Sequence, residues 1–545
     1  MTRMAIRLTS LPHLTDINKE MIRKQCYAVA LLLGFLTVIA ACSSDKGNYN
    51  YRNLNEVQIG LADSYSVLIR DRLTIVPQLS ASSGTMAPND YIYEWKVYDE
   101  GGAAEPVVIG QTAQLDYYVS LLPGNYTLVF TVQEKEANVF YRHEAQLEVK
   151  TTTSHGWLVL CNEKDRVRLD MISHVTGETY YDLLKGTELE YWQEPRQLVY
   201  ASDMAEPYYL VAGSGTTRLS NNEFSWNESY LIENEFAGGQ FAGKVAFMAN
   251  NWPGKIIIDE ARNAYYCSTL MGDGLFGDVR RNETGTQKKY VAGYNALEQQ
   301  HLPFFLLWDY TYRNFVVCAD QFASIGLDSS KDMPVANLPA IGFPVVNDDL
   351  FDWPNRQNGA APYGVEVEVE NTRYDKNQSG QGMTYALLHN STFCHLYGVI
   401  LGNLVCLTEG SEKYGYAYEK SYYADLSSCT DIIAATHFAA SSLKTMLYYA
   451  VGGKVYAVNF ASGTPEARLQ IDLGDEEITL LKFNLFQGDD PDNRTYDLIV
   501  GSTTADGEGV VRIYDGFDSE GDFTGLQPEE MGRGFAPIVD VIYCE

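Results

Sequence analysis

Basic charge is scarce in this sequence. Lys and Arg number 40 against 71 Asp and Glu, which leaves a formal net charge of −31. A polyanion of that size is repelled by phosphate backbones, so general nucleic-acid binding is excluded. Histidine is scarce too, with 8 in 545 residues. No HExxH, GxSxG, P-loop or Rossmann signature stands out. The 9 cysteines contain no CxxC pair, which argues against zinc. Gly (45) and Pro (18) are at ordinary levels, so the chain is neither collagen-like nor of low complexity. Beyond residue 41 no apolar run approaches the length of a membrane-spanning helix.

Aromatic and apolar residues are abundant instead. Hydrophobic residues make up 46% of the chain, with 39 Tyr, 22 Phe and 7 Trp. That composition supports large cores and favours strands. The N-terminal region reads as an address. Arg23 and Lys24 precede the apolar run Tyr27–Ala41, which is short for a spanning helix and fits a signal peptide. The run ends Ile39-Ala40-Ala41-Cys42, which resembles a bacterial lipobox, with the Cys42 thiol as the lipidation point. On this reading residues 1–41 are a signal peptide with an upstream extension, Met21 being the expected start. Residues 42–52 are the lipidated cysteine and its tether. The remaining cysteines are spread widely in apolar contexts and read as buried small hydrophobes, with one disulfide among the 394–429 group as an open alternative.

Residues 53–150 hold short, alternating, turn-bounded segments, among them VQIGLA, YIYEWKVYDE, GNYTLVFTVQE and YRHEAQLEVK. Their number and spacing predict an immunoglobulin-like β-sandwich. Trp95 sits mid-segment and is expected to plug the core, and Gly124 suits the turn before Tyr126. Residues 155–545 change texture. A unit of strand, polar turn and strand opens at Gly156, Tyr208, Lys244, Phe304, Thr384, Met446 and Tyr496. Seven such units predict a seven-bladed β-propeller with long inserted loops near 225–243, 268–300, 325–380 and 407–442. The run Ala536–Tyr543 is expected to supply a closing strand beside the first blade. An eight-bladed ring, or a multi-domain β protein with some helix near 184–206 or 428–444, are the alternatives. The fold class is all-β.

Three pieces carry a family resemblance. Tyr93-Glu94-Trp95, Pro123-Gly124-Asn125-Tyr126-Thr127 and Gly47-Asn48-Tyr49-Asn50-Tyr51 together resemble the PKD-like lipoproteins of Bacteroides-type bacteria. The resemblance implies an accessory of a SusC/SusD-like nutrient uptake system, lipid-anchored in the outer membrane and facing the cell exterior. Its implied partners are a TonB-dependent barrel and that barrel's substrate-binding lipoprotein.

Candidate chemistry is sparse, and no catalytic residue or cofactor is nominated. Asp489–Asn493 and Asp515–Asp522 are acidic loops where calcium is weighed against simple solvation. Glu366, Glu368 and Glu370 alternate with Val and read as a solvent-facing strand face. Aromatics in loops are the stronger signal, because they stack on sugar faces or clamp peptides. Trp308, Tyr310, Tyr312, Trp353, Arg356, Tyr414, Tyr416 and Tyr418 are the candidate ligand contacts; packing of the insertions onto the ring is the competing reading. The expected function is non-catalytic capture of an oligopeptide or glycan, docking on the importer, or both. The alternatives are a surface glycan hydrolase, lyase or peptidase on the propeller loop face, and a purely structural subunit of the importer complex.

Overall fold

The computed structural model describes residues 55–82, 86–99, 105–201, 204, 206–221, 223–239, 241–251, 254–268, 275–276, 304–310, 313–319, 335–337, 345–354, 366–371, 383–406, 414–441, 443–484 and 494–544. Cys42 lies outside them. The described residues form strands and short 3-10 turns only.

The N-terminal sandwich has one five-stranded sheet. Its order is Ser64–Leu68, Val139–Lys150, Gly124–Glu134, Tyr91–Asp99 and Val107–Gly110. Two ribbons cover its inner face: Val57–Gly60 with Gln78–Ala81, and Arg72–Ile75 with Leu115–Tyr118. Period-2 alternation sends Tyr91, Tyr93, Trp95 and Val97 inward. Trp95 is fully buried, stacks on Phe130 at 4.0 Å, and donates its indole N–H to Thr112 O at 2.9 Å. Tyr126 donates its hydroxyl to Leu122 O at 2.8 Å, closing the corner that Gly124 turns with φ +151°.

The rest of the chain is a ring of seven sheets among the described residues. Blade 1 carries Gly156–Glu163, Arg166–Ser173 and Thr179–Tyr180, and its innermost strand is Ile538–Cys544 from the far end of the chain. The innermost strands of blades 2 to 7 are Pro195–Tyr200, Val245–Asn251, Phe304–Asp309, Glu366–Asn371, His437–Ala440 and Glu477–Phe483. Inner strands touch from blade 4 through blades 5, 6, 7, 1 and 2 to blade 3, with Ile538–Cys544 meeting both Pro195–Tyr200 and Glu477–Phe483, and blades 3 and 4 meet through their packed faces. The seven-bladed, all-β expectation therefore holds. Among the described residues the segments near 184–206 and 428–444 hold no α-helix: besides the strands Pro195–Tyr200 and His437–Ala440 they contain the 3-10 turns Glu188–Tyr191 and Ile432–Ala434.

Each blade has two apolar faces, and stacking buries both. Leu158 and Leu169 of blade 1 pack on Leu198 and Leu210 of blade 2. Tyr209 and Val211 meet Met248 and Ile257 of blade 3. Ile256 and Tyr266 meet Phe305 and Leu307 of blade 4. Leu387 and Leu396 of blade 5 meet Leu447 and Tyr449 of blade 6. Tyr448 meets Leu481 of blade 7, and Ile499 and Ile513 of blade 7 meet Trp157 and Val541 of blade 1. Cys161, Cys267, Cys318, Cys394, Cys429 and Cys544 are buried free thiols, so Cys394 and Cys429 are not joined. Burial pushes the Cys394 thiol up to about 12.

Polar side chains tie the inner strands to one another. Asp540 accepts from Leu198 N–H at 2.8 Å, from Lys482 Nζ at 2.7 Å and from its neighbour Val541 N–H at 2.9 Å. One carboxylate thus joins the inner strands of blades 7, 1 and 2. Gln197 repeats the device one blade on, donating to Met248 O at 3.0 Å and accepting from Met248 N–H at 3.1 Å. Removing one partner of a buried ion pair leaves the other uncompensated. Asp540→Ala is expected to lower the unfolding free energy by about 3 kcal/mol, measured by chemical denaturation. A loss below about 1 kcal/mol would show that closure does not depend on this carboxylate.

Candidate functional site

A row of rings joins blades 4 and 5. Trp308 packs on Phe315 at 4.8 Å, and Phe315 on Trp353 at 5.4 Å. Trp353 stacks with Tyr397 at 6.1 Å, and Phe351 lies against Trp353, Tyr397 and Tyr423. The row continues outward through Tyr397–Tyr423 at 5.3 Å and Tyr423–His395 at 6.0 Å. The local sequence explains the row. Cys394–Cys406 and Tyr414–Asp425 pair antiparallel with Tyr397 opposite Tyr423 and His395 opposite Asp425. Partners directly opposite share a sheet face, so two rings and a His–Asp pair line one side of blade 5. Lys420 fixes the segment 347–354 against this face. Its buried Nζ donates to Asp348 O, Asp348 Oδ1 and Phe351 O, each at 2.7 Å.

The row runs from core to surface. Trp308 is 1% exposed, whereas Tyr423 is 42% exposed. Burial, and then the neighbouring Asp425 charge, raise the Tyr423 hydroxyl above its ordinary range, so it stays a neutral donor. Two hydrogen bonds from Ser427, Oγ–H at 2.6 Å and N–H at 3.0 Å, keep Asp425 charged. His395 Nε2 lies 3.6 Å from Asp425 Oδ1. The surface end is therefore a phenol ring beside a carboxylate and an imidazole, on a rigid aromatic base. That arrangement stacks on a flat ligand and fixes its polar groups.

Several sequence expectations change here. Trp308 and Trp353 are not exposed loop residues but seam core; Trp308 belongs to the inner strand of blade 4, of which Phe305, Leu306, Leu307 and Asp309 are also buried. Tyr310 is half-buried beneath the Arg262 guanidinium, whose carbon sits 3.7 Å from the ring centroid. Tyr414, Tyr416 and Tyr418 lie in a strand of blade 5, not in a loop, because the segment pairs with Cys394–Cys406. The side chains of Tyr414, Tyr416 and Tyr418, and Tyr312 and Arg356 altogether, lie outside the described residues. Glu366–Asn371 is the inner strand of blade 5 rather than a free edge, although its side chains are likewise not described. Tyr397, Phe351 and His395 were missed as site residues. Their signal is the pairing of two aromatic-rich segments, CHLYG and SYYAD, which no local pattern specifies.

Among the described residues no three His, Cys, Asp or Glu converge as a metal site. Asp489–Asn493 lies outside them. In Asp515–Asp522 the carboxylates cap turns: Asp515 Oδ1 accepts from the N–H groups of Phe517 and Asp518, and Asp522 Oδ1 from Thr524 N–H.

A second polar cluster sits where blade 7 meets blade 1. His174 Nε2 lies 2.7 Å from Glu530 Oε2, which also accepts from the Trp157 indole N–H at 3.2 Å. Arg494 Nη1 is 3.1 Å from each of Asp497, Glu529 and Glu530. His155 Nε2 is hydrogen-bonded to the Tyr543 hydroxyl. Burial opposes the Glu530 charge, but His174, Arg494 and Trp157 hold its carboxyl below the usual range. One guanidinium among three carboxylates leaves an excess of negative charge. The most buried of them, Asp497 at 2% exposed, absorbs it: burial pushes its carboxyl up to about 8 despite Arg494.

The comparisons with known proteins bear on the fold. The PKD-like family matches residues 42–194, which span the sandwich and the first three strands of blade 1. No curated protein matches the chain. A quinonprotein alcohol dehydrogenase-like protein from Bacteroides thetaiotaomicron is similar at 10% identity and a TM-score of 0.41, covering 91% of this chain and 100% of that one. Yeast RCC1 (Prp20), in its complex with Kap60, is similar at 9% identity and 0.34, covering 68% and 78%. The WD40 domain of SCAP from fission yeast is similar at 6% and 0.33, covering 65% and 73%.

A carboxyl whose folded pKa is raised binds a proton on folding, so its contribution is full near pH 4 and is lost as pH climbs through 8. The stability of the wild-type protein relative to Asp497→Asn is expected to fall by about 1 kcal/mol per pH unit between pH 5 and 8. Thermal unfolding of both proteins across that range measures it. Parallel curves would mean that Asp497 titrates normally.

Proposed function

We propose that this protein is a non-catalytic lipoprotein of the outer-membrane surface. It captures an oligopeptide or glycan and works beside a TonB-dependent importer and that importer's substrate-binding lipoprotein. The observation that carries this reading is the aromatic row between blades 4 and 5. The Tyr423 ring, already packed against Phe351, Tyr397 and His395, pays little ordering entropy when a ligand stacks on it. The Asp425–His395 pair supplies direction rather than bond-breaking. Glycosidic cleavage uses two facing carboxyl groups, and among the described residues Asp425 is the carboxylate of this surface end. The lipobox ending in Cys42 supports anchoring, and the PKD-like sandwich between anchor and ring supports display away from the membrane.

The test uses the mature full-length protein, titrated calorimetrically with neutral hexasaccharides and with hexapeptides. Tyr423→Ala is expected to weaken the retained ligand tenfold or more, about 1.4 kcal/mol, with Tm unchanged. Capture from detergent-solubilised outer membranes is expected to recover a barrel and a second lipoprotein, and Cys42→Ala is expected to move the protein out of the membrane fraction. Unaltered binding by Tyr423→Ala, or turnover of a polymer by the purified protein, would overturn the reading.

A further inference from the structure

The sandwich has a concavity that core packing does not explain. It occupies about 410 Å³ and is lined by Ser64, Tyr65, Ser66, Asn125, Gln146, Leu147 and Glu148. It lies on the outer face of the five-stranded sheet, opposite Trp95. Two rows of that face carry five of its lining residues, Ser64 and Gln146 in one and Asn125, Glu148 and Ser66 in the other; Thr127 and Tyr98 continue the first row beyond the lining, and Tyr65 and Leu147 belong to the core side. Tyr98, Thr127, Gln146 and Ser64 stand directly opposite one another across four strands, and Asn125, Glu148 and Ser66 form the next row. All seven point outward, because Trp95, Val97, Leu128 and Leu147 on the alternate positions are core.

We infer that this surface binds a neutral, hydroxyl-rich ligand, a short glycan chain, making the sandwich a second ligand-contacting module rather than only a spacer. The chemistry of the two rows selects that class. Ser and Thr hydroxyls and Asn and Gln amides both donate and accept, which matches sugar hydroxyls whichever way these turn. The one charge in the lining is compensated: Glu148 is paired with Lys150 Nζ at 3.1 Å. No cation is left over for an anionic ligand, and the net charge of −31 opposes one. Tyr98, 40% exposed at the end of the row, offers a ring face to a pyranose. Four strands span about 14 Å, room for a short oligosaccharide lying across them. A peptide would instead add itself to the edge strand Ser64–Leu68 through backbone hydrogen bonds, and would be indifferent to the side chains of Tyr98 and Gln146.

This surface is independent of the row between blades 4 and 5, and the experiment separates them. The mature full-length protein is titrated with maltohexaose, cellohexaose, xylohexaose and mannohexaose, with a heparin-derived hexasaccharide as the anionic comparison and hexa-alanine as the peptide. Tyr98→Ala and Gln146→Ala both change exposed side chains, and unchanged Tm and near-ultraviolet circular dichroism establish that they fold. At least one neutral hexasaccharide is expected to bind at a site that Tyr98→Ala and Gln146→Ala each weaken fivefold or more and that Tyr423→Ala leaves intact. The inference is overturned if no neutral hexasaccharide binds, or if all binding survives both sandwich substitutions. It is equally overturned if the heparin fragment or hexa-alanine is preferred at this site. Loss confined to Tyr423→Ala would uphold the propeller site and remove this one.

Discussion

The ring is held shut by a single non-local pairing. Ile538–Cys544 runs beside Gly156–Cys161, with Gly156 opposite Cys544, 388 residues away in sequence. Without that strand, blade 1 has no inner edge, its seam with blade 2 loses Ile542 and its seam with blade 7 loses Val541. Closure also removes two sheet edges that would otherwise template aggregation. Such a contact forms only after a large entropic cost, so the ring is expected to fold slowly and to resist opening once formed. Asp540 sits at that junction because an inner strand has two neighbours. A carboxylate with two oxygens reaches Lys482 on one side and Leu198 N–H on the other.

The seams are filled differently, and the differences map onto roles. Between blades 3 and 4 the filling is largely Ile, Phe and Leu. Between blades 2 and 3 a buried ionic group is embedded: Lys255 Nζ reaches Glu235 Oε2 at 2.8 Å and the Tyr209 hydroxyl at 3.0 Å, while Arg218 holds Glu235 from the other side at 2.9 Å. Such groups seldom add net stability over an apolar filling, but they penalise any other register. The seam between blades 4 and 5 adds a row of rings to buried aliphatic residues such as Leu306 and Leu388, and that row ends at the surface. A core seam that emerges into solvent becomes a platform without any extra structure to hold it rigid.

Much of this architecture is legible in the sequence, and the rest is hidden for definite reasons. The sandwich strands alternate cleanly, and Trp95 and Gly124 sit where their side chains, or lack of one, require. Seven blade openings correspond to seven sheets. In blades 2, 5, 6 and 7, however, the segment recognised is the second strand. The true inner strand of blade 5, Glu366–Asn371, carries charges at alternate positions and looks like a solvent face, and that of blade 7, Glu477–Phe483, is marked by Glu477 and Lys482. Inner strands border the ring axis, where polar residues are tolerated, so hydrophobicity underestimates them. The aromatic site fails for another reason. Trp308 and Trp353 belong to one row, but so do Tyr397 and Tyr423, and the row exists only once two strands pair in register. Composition announces the rings; only topology decides which are buried and which emerges.

The junction between sandwich and ring bears on how the modules work together. The connecting residues are not a free tether. Thr151 is buried, Ser173 Oγ donates to Thr152 O at 2.5 Å, and His174 N–H donates to His155 O at 2.9 Å. The connection therefore docks on the same turn of blade 1 that carries His174 to Glu530, beside the strand that closes the ring. A flexible linker would let two ligand-contacting modules search independently, with an effective concentration set by its length. A connection hydrogen-bonded along its backbone gives up that freedom in exchange for a narrower range of geometries. If both proposed surfaces hold one ligand chain, that chain meets them in few relative arrangements, which favours ligands of matching length over merely sticky ones.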